Sequence, residues 1–91
     1  MNAKEAWRMI HRLRRAGNKL RIARSYFLVE FNHARKQLHL HGSDSDKPAD
    51  IYLIRMWAED IARHAMHLER IDEAIMAHEI RISRLQVMLR S

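Results

Sequence analysis

Seven histidines stand among eleven carboxylates in a chain of 91 residues, so metal chemistry is the first possibility to weigh. Glu30-Phe31-Asn32-His33 has the Glu-x-x-His spacing that puts both side chains on one face of a helix, as a carboxylate-bridged metal site in a bundle requires. Glu59, Asp60, His64 and His67 would be its partners across an antiparallel helix pair. Such a site wants a carboxylate from each helix and histidines aimed at the core. The apolar periodicity instead sets Glu30 at the flank and His33 further out. A carboxylate/His metal-binding bundle is carried as a second alternative only, with no metal ligand and no cofactor assigned. His39 and His41, next to a polar break, read as groups at a helix C-terminus, where a cation meets the dipole favourably.

Charge gives the stronger signal. Residues 1–24 hold Lys4, Arg8, Arg12, Arg14, Arg15, Lys19, Arg21 and Arg24 against Glu5 alone, a net of +7. A basic stripe on one helix is the footprint of a phosphate-bearing or otherwise acidic partner. The competing reading is internal neutralisation. In an antiparallel pair this segment lies beside Glu69, Asp72, Glu73 and Glu79, and exposed pairs with them contribute about 0–1 kcal/mol each. Eight cations against four carboxylates leave a surplus. Lys4, Arg8, Arg12, Arg15 and Lys19 are assigned as the partner-binding residues. There is no glycine-rich phosphate loop and no Ser/His/Asp grouping, so neither an enzyme nor a small-molecule substrate is inferred.

The elements that position these residues follow from spacing. His41-Gly42-Ser43-Asp44-Ser45-Asp46-Lys47-Pro48 concentrates turn formers as no other stretch does. Gly42 suits the C′ position, Asp46 the N-cap and Pro48 a first helical turn. Apolar residues, with Gly17 among them, recur in steps of mostly three and four at Ala6, Ile10, Leu13, Gly17, Leu20, Phe27, Phe31, Ala34 and Leu38. They recur again at Ile51, Ile54, Ala58, Ile61, Ala65, Leu68, Ile71, Ile75, Ile82, Leu85 and Leu89. The prediction is an all-α single domain over 1–91, a long antiparallel helical hairpin with helices at about 3–41 and 48–90. Gly17-Asn18 offers an alternative, a three-helix bundle broken there.

The seam leaves apolar residues over. Ile22, Tyr26, Val29, Met56 and Trp57 fall outside it, and a lone hairpin cannot bury both faces of its helices. They are assigned to an oligomer interface, with two hairpins forming a homodimeric four-helix bundle. The functional expectation is a non-enzymatic basic helical regulator that binds nucleic acid or an acidic protein surface through its N-terminal helix. The alternative is a protein–protein antagonist or adaptor working through the apolar face. The absence of cysteine excludes disulfides and fits a reducing compartment. No apolar run of about 18 residues exists, and charges run through residues 1–15 where a signal peptide would be apolar. The expected location is cytoplasmic, with no membrane partner.

Overall fold

The computed structural model describes residues 1–41 and 48–91. They form two long helices, α1 (Ala3–His41) and α2 (Pro48–Arg90), with the boundaries that the periodicity predicts. Gly42, Asp44, Ser45 and Asp46, the expected C′ glycine and turn, lie outside the described residues. α1 passes unbroken through Gly17-Asn18, and Gly17 keeps a negative φ. The three-helix alternative therefore does not hold. Leu13, Gly17 and Leu20 stay in phase along one face, and that face is buried or half-buried.

Each chain end is closed by a side chain. The Oδ1 of Asn2 accepts a hydrogen bond from the Glu5 backbone N–H at 2.9 Å, and the Asn2 amide donates to the Glu5 carboxylate at 3.5 Å. Asn2 is thus an N-cap answered by Glu5 three residues on, a relative of the capping box. At the far end, the Ser91 hydroxyl reaches the Val87 and Met88 carbonyls at 3.3 and 3.0 Å, which helix ends otherwise leave open.

The chain divides into two compact units. The first joins Met1–Arg24 to Arg70–Ser91. Its core is Ala6, Ile10, Leu13 and Leu85, with Met9, Ile82 and Leu89 packed against it. The helices run antiparallel here, since Arg21 meets Glu79 and Arg24 meets Asp72. The second unit is Ser25–Glu69. Its seam is aromatic: Phe27 stacks on His67 at 4.9 Å between centroids and lies 5.9 Å from His64. The His41 ring stacks on Trp57 at 5.2 Å, and Ala34 is buried.

The face that α2 turns inward differs from the expected one. Ile51, Ala58 and Ala65 are exposed, whereas Trp57, His64 and His78 are half-buried. Ile54, Trp57, Ile61, His64, Leu68, Ile71, Ile75, His78, Ile82, Leu85 and Leu89 alternate steps of three and four without a fault, and all are withdrawn from solvent. That is a strict heptad stripe, whose phase is set by helix geometry and not by the polarity of single residues. α1 obeys the same rule. Arg24 fills the place between Leu20 and Phe27 that the apolar pattern leaves empty, and it is half-buried.

Candidate functional site

Lys4, Arg8, Arg12, Arg15 and Lys19 follow one another in steps of four, four, three and four, so they form one ridge of α1. The buried ridge of Ala6, Ile10, Leu13 and Gly17 lies on the other side of the helix. All five cations are exposed, and among the described residues none of them forms an ion pair. Arg14 is exposed and unpaired in the same sense. Glu5, the carboxylate within the ridge, is turned toward the Asn2 cap.

Among the described residues, the ion pairs across the helix pair involve two arginines outside the ridge. Arg21 reaches Glu79 at 2.9 Å and Arg24 reaches Asp72 at 2.7 Å. These side chains are 41–59% exposed, so each pair contributes at most about 1 kcal/mol. The charge of the chain is accordingly lopsided. Met1–Arg24 with Arg70–Ser91 carries 12 Lys/Arg and 4 Asp/Glu, a formal +8. Ser25–Glu69 carries 5 Lys/Arg and 7 Asp/Glu, a formal −2.

Two shallow clefts lie on the unit of Met1–Arg24 and Arg70–Ser91. One, of about 270 Å³, is lined by Met1, Glu5, Arg8, Met9 and Arg12. The other, of about 210 Å³, is lined by Trp7, Gln86, Leu89 and Arg90. Both fall below the roughly 300–1,000 Å³ of sites that enclose a drug-sized ligand. Trp7 stays 47% exposed, with the His11 ring 6.4 Å away at 34°. Sequence reasoning passed over this residue. The signal lay in a tryptophan one position off the apolar ridge, between Lys4 and Arg8.

The histidines and carboxylates weighed for metal are dispersed. Glu30 is half-buried, and His33 and Glu59 are exposed. Asp60 holds Arg63 at 3.0 Å, while Arg35 sits over the Phe31 ring at 5.6 Å. His67 stacks on Phe27 and the His64 ring lies tilted against it; among the described residues the buried Nδ1 of His64 has no hydrogen-bond partner. Among the described residues, no three His, Asp or Glu side chains converge on a point that could hold a metal ion.

Of the residues assigned to an oligomer interface, Ile22, Tyr26, Val29 and Met56 are exposed, the first three at 72%, 62% and 66%. Trp57 departs from this set. It takes a seam position, half-buried against His41, because the heptad phase of α2 turns it inward. No described helix is long and apolar enough to cross a membrane. No family model, curated protein or solved structure matches the chain.

Proposed function

We propose that this chain is a non-enzymatic interaction protein that binds an acidic partner, nucleic acid or acidic protein surface, through the outer ridge of α1. It would act as a regulator in the cytoplasm, as a homodimer whose hairpins form a four-helix bundle. One observation carries this reading: among the described residues Lys4, Arg8, Arg12, Arg15 and Lys19 are aligned, exposed and outside any ion pair, while two of the four carboxylates opposite, Glu79 and Asp72, are engaged with Arg21 and Arg24. Five like charges on one ridge repel one another, at a few tenths of a kcal/mol for each i,i+4 pair, and an acidic partner relieves that repulsion. The dimer draws support from the exposed Ile22, Tyr26, Val29 and Met56, which a second copy would cover.

The test is charge reversal. Arg8→Glu, Arg12→Glu and Arg15→Glu together should abolish partner binding and leave far-UV circular dichroism unchanged, since none of the three side chains is buried. Binding by the parent chain should weaken steeply with salt if the partner supplies phosphates. His33→Ala and His64→Ala should leave binding intact. Loss of binding in the histidine variants, with the arginine variant unaffected, would put metal chemistry in place of this reading. Binding that ignores salt and is lost on Tyr26→Lys would favour the second reading, an antagonist or adaptor engaged through the exposed apolar residues of α1.

A further inference from the structure

We propose that the acidic partner is a single-stranded nucleic acid and that Trp7 is the platform on which one of its bases stacks; this rests on the reading of α1 as an anion-binding ridge. Trp7 shares a helical neighbourhood with Lys4 and His11, three residues before it and four after, and these lead directly onto Arg8 and Arg15. Its indole is 47% exposed, so a large aromatic surface stays in water beside unpaired cations. On its other side the ring borders the cleft of about 210 Å³ completed by Gln86, Leu89 and Arg90. Leu89 belongs to the packed core of this unit, which fixes the floor of the cleft. Arg90 adds a further guanidinium at its rim.

An acidic protein surface would satisfy the cations but brings no obligatory partner for a flat aromatic face. A duplex brings phosphates and keeps its bases stacked inside. A single strand brings both phosphates and uncovered bases, the pairing that basic grooves with exposed aromatics recognise. Arginine outnumbers lysine on this surface, with Arg8, Arg12, Arg14 and Arg15 beside Lys4 and Lys19. Guanidinium suits the task because it grips phosphate with two N–H groups and also stacks on bases. From Lys4 to Lys19 the ridge rises about 22 Å at 1.5 Å per residue. That length accommodates roughly six or seven stacked nucleotides at about 3.4 Å each.

The experiment measures the affinity of the full chain for a fluorescent single strand of about eight nucleotides. An abasic strand of the same length, the matching duplex and polyglutamate serve as comparisons. The base-bearing strand should bind more tightly than the abasic strand or the duplex. Trp7→Ala should weaken it roughly ten- to hundredfold and leave the abasic strand unaffected. Trp7→Phe, which keeps a ring in the same packing, should retain most of the affinity and guards against a folding artefact. Equal affinity for base-bearing and abasic strands, preference for the duplex, or a Trp7→Ala chain that binds like its parent would overturn the inference while leaving the anion-binding ridge in place. Binding of polyglutamate alone would overturn it in favour of an acidic protein partner. If no polyanion binds, the ridge reading falls as well.

Discussion

At the scale of single residues, His64 shows how position overrules side-chain type. Its six companions by type invite a search for coordinating nitrogens, yet what His64 contributes is a tilted ring against Phe27 at 5.9 Å. Among the described residues its buried Nδ1 has no partner. A buried polar atom left unmatched costs about 1–3 kcal/mol, while an aromatic contact of this kind returns roughly 0.5–1.5 kcal/mol. The seam places before and after it, Ile61 and Leu68, are filled by branched apolar side chains. His64→Leu should therefore stabilise the chain by about 1 kcal/mol, raising Tm by roughly 4–8 °C for a domain of this size. A melt that falls instead would mean that Nδ1 is satisfied in solution and that the histidine contributes more than its ring.

At the scale of elements, Gly17 tests the continuity of α1. It is buried on the seam with a negative φ, so nothing in its backbone requires glycine. A Cβ added there would meet only the terminal Nη1 of Arg21, at 3.4 Å, which is ordinary contact with the movable end of a side chain. Glycine inside a helix costs about 0.5–1 kcal/mol relative to alanine. Gly17→Ala should thus raise stability by about that amount, seen as a higher melting temperature with unchanged helicity. Destabilisation would show that the segment is not helical through residue 17. Both helix spans were legible in the sequence because Gly42 to Pro48 is the sole cluster of turn formers and the periodic stripes stop on either side of it. The phase of α2 was less so. An apolar count prefers Ala58 and Ala65 to Trp57 and His64, whereas a 3.5-residue repeat demands the latter pair. The ridge residues were legible one by one as charges. That Asp72 and Glu79 would choose Arg24 and Arg21 over the ridge required side-chain geometry, and so did the exposure of Trp7.

At the scale of the molecule, the question is what completes the core. Among the described residues Ile10 is the large side chain that is fully buried, and Ala6, Leu13, Gly17, Ala34 and Leu85 are the other buried positions. Ile22, Tyr26, Val29 and Met56 supply apolar surface of the kind an obligate interface buries. A small chain without disulfides has few other ways to make up its stability. Sedimentation equilibrium should accordingly find a dimer at micromolar protein, and melting temperature should rise with concentration, as mass action requires when folding and association are linked. Tyr26→Lys with Val29→Glu should shift the chain toward monomer and lower its melting temperature, while the Arg8, Arg12 and Arg15 reversals should not. A parent chain that sediments as a monomer, with a concentration-independent melt, would remove the dimer and leave the exposed apolar residues as a surface for some other protein.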